Sequence, residues 1–254
     1  MKTLVIVGLV SVTSIVGCGS SDDDKPATPE GTPNKQSASS ATTATITATQ
    51  SAIKPAAGGA NAGQASANQL SSAAQATQNL VTPSAGGTGA KSLPGLELAD
   101  FLHPLENPAG TTGTCTCTAD SCTFAACATG ALTIDGTYAF GGGKIKTTDL
   151  KYTIKTGTGP ISADVVINVK ADLTVTATSM NGTFQSTGTT TTGAGGQSYS
   201  SSWDSSLDFK GVTYPSGGGA PTAGSVHIKA STSVSAGGAA QAYQSEFDVN
   251  FPGG

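Results

Sequence analysis

The sequence predicts a mainly β protein with a weak helical segment on its N-terminal side. Apolar and polar residues alternate over long stretches of the C-terminal half. Glycine-rich breaks separate these stretches, and charged residues make up only 11% of the 254 positions while Ser, Thr, Gly and Ala dominate. Alternation of this kind gives a strand one apolar and one wet face. A set of such strands forms an antiparallel sheet covered on one side. The expected architecture is therefore a one-sided curved antiparallel sheet, a half-barrel with a helix cover, with a β-sandwich as the alternative.

The first residues form a leader. Lys2 supplies a positive start, and an apolar stretch from Leu4 to Gly17 follows, interrupted only by small and hydroxyl residues. That stretch is shorter than the roughly 20 residues a spanning helix needs, so it reads as a signal peptide covering residues 1–17. Its end, Ile15-Val16-Gly17-Cys18, resembles the lipobox of bacterial lipoproteins. The resemblance covers the N-terminus alone. It implies cleavage before Cys18, a thioether-linked diacylglycerol on the Cys18 sulfur, and a tether to the lipid bilayer. Two or three acyl chains hold firmly where one is marginal. Gly19 after the cysteine points, by the same resemblance, to the bacterial outer membrane, with the chain facing the periplasm or the cell surface.

Residues 18–35 are an acidic, Pro-containing linker with almost nothing apolar to repay the entropy of ordering. Residues 36–82 are rich in Ala, Ser, Thr and Gln and read as a helical or disordered stalk. Ala and Gln favour helix, while the Thr residues between Thr42 and Thr49 oppose it. Pro55 and Gly58-Gly59 break the segment in two. The second half is the better helix, because Leu70, Ala73, Ala74, Thr77, Leu80 and Val81 follow one helical face. Residues 83–112 form a second linker with one apolar patch, Leu93, Leu96, Leu98, Phe101, Leu102 and Leu105, expected to dock on the β-domain.

Residues 113–254 are the antiparallel β-domain, with seven to nine strands expected. Leu132, Ile134, Tyr138 and Phe140 share one parity, as do Leu150, Tyr152 and Ile154. The longest alternation runs from Val165 to Ala177. Tyr199, Trp203, Leu207 and Phe209 continue it, then Val226, Ile228, Ala230 and Val234, then Phe247, Val249 and Phe251. Asn181-Gly182 is the preferred pair for a two-residue hairpin, which places Met180 opposite Thr183 and Phe184 on the face of Val175. The returning strand is otherwise Ser, Thr and Gly and reads as a weak or edge strand.

Four cysteines remain beside Cys18: Cys115, Cys117, Cys122 and Cys127. An even number in an exported chain implies two disulfides. Adjacent Cys115–Cys117 would close a strained ring. The nested pairing, Cys117–Cys122 within Cys115–Cys127, comes first, and the crossed pairing follows closely. A four-cysteine zinc site is the rival, but the spacing lacks paired C-x-x-C knuckles.

All twelve cations are Lys, and the formal net charge is −4. A mildly acidic chain without Arg is a poor nucleic-acid binder. His103 and His227 have no neighbours that suggest a triad or a ligand set, and no G-x-S-x-G, P-loop or H-E-x-x-H motif occurs. Asp204 and Asp208 read as solvated surface groups. The sequence therefore points to no catalytic residues, no metal and no cofactor. The expected function is that of a membrane-anchored lipoprotein of structural or surface-interaction type, non-catalytic. A carbohydrate-binding form of it would use Tyr199, Tyr214 or Tyr243 as exposed rings. The alternative is a lipoprotein that binds lipid or another apolar ligand on the apolar face of its sheet, with Val169, Leu173, Val175, Trp203, Phe209 and Phe247 facing the ligand.

Overall fold

The computed structural model describes residues 30–53, 60–82, 112–156, 161–194, 197–216, 218–236 and 239–252. The Cys18 lipobox, the Leu-rich patch of 93–105 and His103 lie outside these residues.

The sheet is a nine-stranded antiparallel meander. Its strands are β3 (Thr112–Cys117), β4 (Ser121–Thr129), β5 (Leu132–Ala139), β6 (Lys144–Thr156), β7 (Ile161–Val175), β8 (Ser179–Ala194), β9 (Gln197–Thr213), β10 (Ala223–Ala236) and β11 (Ala239–Phe251). Each pairs with the next in sequence, so spatial order follows chain order from β3 to β11. One open sheet holds every long strand; the arrangement is a covered half-barrel and not two stacked sheets. A two-residue ribbon, β1 (Thr32–Pro33) with β2 (Val81–Thr82), joins the two ends of the helical segment.

The alternation in sequence becomes the two faces of the sheet. Ile134, Ile145, Leu150, Tyr152, Ile167, Leu173, Phe184, Leu207 and Ile228 are all buried on the inner face. Their sequence neighbours point outward and, Val166 apart, are polar or charged. Helices α1 (Lys35–Ile53) and α2 (Ala60–Ala76) cover the inner face. The expected face is buried, with Leu70, Ala73 and Ala74 in α2 and Thr77 and Leu80 in the turn that follows it all at most 1% exposed; the helix itself ends at Ala76.

The threonines of α1 do not prevent helix formation. Thr42 and Thr45 donate to the carbonyls of Ala38 and Ala41, each at 2.8 Å, and Thr49 donates to Ile46 at 2.9 Å. Each hydroxyl is thereby satisfied by its own helix and can be buried at low cost. Asn34 caps the start, its side-chain oxygen accepting from the Ser37 amide at 3.0 Å. Residues 38–52 and 66–81 thus place buried side chains in a layer on the sheet, and this part of the segment is not a free stalk.

The hairpin expected at Asn181-Gly182 sits four residues earlier. Val175 pairs with Met180, and the turn is Thr176-Ala177-Thr178. The Thr176 hydroxyl accepts from the amides of Thr178 (3.3 Å) and Ser179 (2.9 Å), a local turn device that outcompetes the Asn-Gly pair. Asn181-Gly182 instead marks an irregularity against β9, where pairing shifts between Met180 and Gly182. Gly182 has φ 111°, and a Cβ there would lie 2.2 Å from the Asp172 carbonyl oxygen, so only glycine fits. The Asn181 side-chain oxygen accepts from the Gly211 amide at 2.6 Å.

Similar irregularities recur in β3–β4, β4–β5, β5–β6, β6–β7 and β9–β10. Bulges bend strands and increase their twist, so a series of them curves the sheet around its helices. The amides they displace find side-chain acceptors. Asp135 takes the Ala126 amide at 2.7 Å, and the Thr147 hydroxyl takes the Ala171 amide at 2.7 Å.

Strand β8 is an inner strand, contrary to the edge position its composition suggested. Its small inner-face residues have specific tasks. Gly188 lies opposite Trp203, whose ring occupies the space a side chain would take; a Cβ there would sit 2.0 Å from two ring carbons. Ser186 joins a hydroxyl network with the helix layer. Gly188→Ala must displace the ring and is expected to cost about 1–3 kcal/mol, as overpacking does. Thermal unfolding would report the loss, and the emission of Trp203, the only tryptophan, would report the ring. Unchanged stability and emission would contradict this packing.

Candidate functional site

Two surfaces merit consideration, the inner face and the outer face of the sheet. The residues expected to face an apolar ligand lie mostly within the helix–sheet core. Val169, Leu173, Val175, Trp203 and Phe209 are each at most 4% exposed, and Phe247 is partly buried on the edge strand β11. The structure brings them to one face, but α1 and α2 cover that face with Ile46, Leu70 and a set of buried alanines.

Polar clamps hold the cover down. The Tyr152 hydroxyl donates to the Ala67 carbonyl in α2 at 2.6 Å. The hydroxyls of Thr77, Ser186 and Ser205 form a closed triangle with separations of 2.6, 2.9 and 2.7 Å. At the end of α1, the Gln50 side-chain amide donates to the Thr176 carbonyl (2.7 Å) and to the Tyr214 oxygen (2.9 Å). Tyr214 is within donating distance of the carbonyls of Thr176 (3.0 Å) and Ser179 (2.8 Å). Tyr214 is therefore buried and structural, not an exposed sugar platform. Tyr243 is partly buried and donates to Gln241 at 3.0 Å.

Burial pushes the Tyr152 hydroxyl well above the usual tyrosine value of 10.0, and neighbouring Tyr138 adds to the shift. Desolvation also raises Tyr138 and Tyr214, opposed by hydrogen bonds from Ser66 and Gln50. Among the described residues, four buried side-chain polar atoms have no hydrogen-bond partner: Asn68 Oδ1 in α2, and Thr190 Oγ1, Trp203 Nε1 and Ser245 Oγ in the sheet.

The disulfides follow the nested pairing. Cys117–Cys122 bridges facing residues of β3 and β4 with Cα atoms 4.1 Å apart, and Cys115–Cys127 encloses it at 5.3 Å. With all four sulfurs paired, the four-thiolate zinc alternative does not hold. They close the edge of the sheet at β3 and leave no thiol there.

The outer face carries Ser, Thr and scattered charges. His227 points outward from β10, as its parity indicated. Its Nδ1 lies 3.0 Å from Asp248 and its Nε2 3.0 Å from Glu246. Lys229 pairs with the same Glu246 oxygen at 3.0 Å, and this lysine first, helped by His227, holds the exposed Glu246 carboxyl below its usual range. Asp208 pairs with Lys210 at 3.4 Å. Between these charges and the sheet's end lies an open cleft of about 220 Å³ over β9, β10 and β11, lined by Ser202, Trp203, Asp204, Ser231, Thr232, Ser233, Ala242 and Gln244. Sequence reading singled out Asp204 but not the cleft, because its members are small and common. The cross-strand register that groups them is visible only in the fold. Among the described residues, no cluster of three or more His, Cys, Asp or Glu is arranged to hold a metal, and no helix is long and apolar enough to cross a membrane.

Tyr152 offers a test of the clamps. Its raised value means that its contribution is present below pH 10 and is lost as the pH climbs past 10 towards the folded-state value. Tyr152→Phe removes one hydrogen bond and is expected to cost about 1 kcal/mol at neutral pH. It should also flatten the fall in stability above pH 10, read by urea unfolding across pH 8 to 11; an unaltered alkaline profile would contradict the assignment. The chain matches no protein-family model, no curated protein and no solved structure.

Proposed function

We propose that the protein is a non-catalytic, membrane-anchored bacterial lipoprotein of structural or surface-interaction type. In this reading, lipids on Cys18 hold it to the outer membrane, and the β-domain presents its outer face to the periplasm or the cell surface. One observation carries the choice of a structural head: the apolar inner face is occupied by its own helices, with Val169, Leu173, Val175, Trp203 and Phe209 as core. The side chains that could do chemistry support the reading too. Most buried hydroxyls are spent on carbonyls of α1, a bulge amide and the clamps, and His227 is held between two carboxylates. The lipobox residues Ile15-Val16-Gly17-Cys18 support the anchor.

A second reading, binding of lipid or another apolar ligand on the inner face, draws on the partnerless polar atoms of Trp203, Thr190 and Ser245. A buried polar atom without a partner costs roughly 1–3 kcal/mol, and a ligand carbonyl or hydroxyl would relieve that cost. This reading requires the helix layer to open, whereas the first requires it to stay closed.

The anchor is tested by Cys18→Ala in a bacterial host. Wild-type protein is expected in the membrane fraction and the variant outside it. A variant that remains membrane-bound with its leader fully removed would overturn the lipoprotein assignment.

A further inference from the structure

From the outer-face cleft over β9, β10 and β11, we infer a binding site for one neutral sugar unit of a polysaccharide. This inference rests on the surface-interaction reading above and names the class of its partner. Register places two short rows of side chains side by side: Ser202, Ser233 and Ala242 in one, Asp204, Ser231 and Gln244 in the other. The first row and Ser231 are small and form a floor. Asp204 and Gln244 are longer, exposed, and stand at the two sides. Trp203 and its cross-strand partner Thr232 also line the cleft, but strand alternation turns their side chains to the opposite face, where the Trp203 ring lies against Gly188.

The chemistry of the lining selects the ligand. Asp204 is the only ionised group in it, and no cation is present to meet a phosphate, sulfate or carboxylate. An apolar ligand would strip water from the carboxylate, the amide and three hydroxyls without replacing their bonds, which is costly. A neutral sugar both donates and accepts. Two adjacent sugar hydroxyls can donate to the Asp204 carboxylate, the Gln244 amide can donate and accept, and the serines can do either. The cleft of about 220 Å³ falls below the ~300–1,000 Å³ of drug-sized pockets, so it suits one ring and not a whole oligomer.

The surroundings allow a chain to continue on one side. The Asp204 row extends across the sheet through Thr187 to Asn168, whose amide donates to the Thr187 hydroxyl at 3.3 Å. Strands are about 4.8 Å apart, so this row offers a polar side chain at each step perpendicular to the strands. A single open ring site of this kind reaches only about millimolar affinity. Tethering many copies to one surface would raise their joint attachment to a polymer well above that.

The experiment uses the full processed chain in phosphocholine micelles, which carry no sugar. Amide shifts are followed by NMR as glucose, galactose, mannose, N-acetylglucosamine, maltohexaose and cellohexaose are added in turn. The expected result is a saturable shift, from at least one of them, centred on Ser202, Ser231, Ser233 and Ala242. Asp204→Ala and Gln244→Ala should each weaken it tenfold or more while leaving the other amides in place. No saturable shift from any of the six, saturable shifts elsewhere on the sheet, or shifts indifferent to both substitutions would overturn the site. Binding here does not depend on attachment to a bilayer. A negative result therefore leaves the lipoprotein reading standing, and loss of the anchor leaves this one standing.

Discussion

The fold depends on one interaction, the covering of a large apolar sheet face by two helices made of small residues. A nine-stranded sheet with one apolar face cannot stand in water with that face bare. A second sheet would have made a sandwich; here two helices of 19 and 17 residues, mostly Ala, Thr, Ser and Gln, serve instead. Their thin stripe would be marginal as isolated helices, since short helices in water draw their stability from packing. Against the sheet the thinness is useful. Small side chains let the helices approach closely, and the sheet supplies the bulk through Tyr138, Tyr152, Phe184 and Phe209. The dependence runs both ways, because neither layer buries its apolar surface without the other.

Curvature follows from the same need. A flat sheet would meet the helix pair along a narrow line. Irregular pairings in six of the eight strand pairs bend it into a trough. Each bulge threatens to leave an amide unpaired, and Asp135, Thr147 and Asn181 supply acceptors where three of them fall. Polar residues that look like ordinary surface in the sequence are therefore part of what shapes the domain. The outer face inherits a consequence: with chemistry spent on bulges and helix clamps, what remains for a partner is a grid of hydroxyls with a few charges.

Much of this was legible in the sequence because period-two alternation fixes faces. It fixes them even when a turn is misplaced. Moving the β7–β8 turn by four residues changed every cross-strand partner of Phe184 but not its face, since an even displacement preserves parity. The nested disulfides were legible too, because the short spacing from Cys117 to Cys122 suits a tight hairpin. What was not legible depended on long-range geometry. Nothing local shows that Gly188 makes room for Trp203, or that Ser186 meets a threonine 109 residues away. Those two residues made an inner strand look like an edge. Tyr214 looked available for a surface role because its buried partner, Gln50, lies 164 residues before it. The outer cleft was hidden for a similar reason, being assembled from small and common residues on three strands.

Native-state hydrogen exchange of the helix amides tests the central claim most directly. If the helices are a permanent part of the core, the buried amides of α1 and α2 open only when the whole domain unfolds. Their opening free energies, and their dependence on denaturant, should then equal those of β6 and β7. Helix amides that exchange through a smaller opening, while β6 and β7 stay protected, would contradict this account. They would show a cover that lifts from an intact sheet, as an apolar-ligand carrier requires.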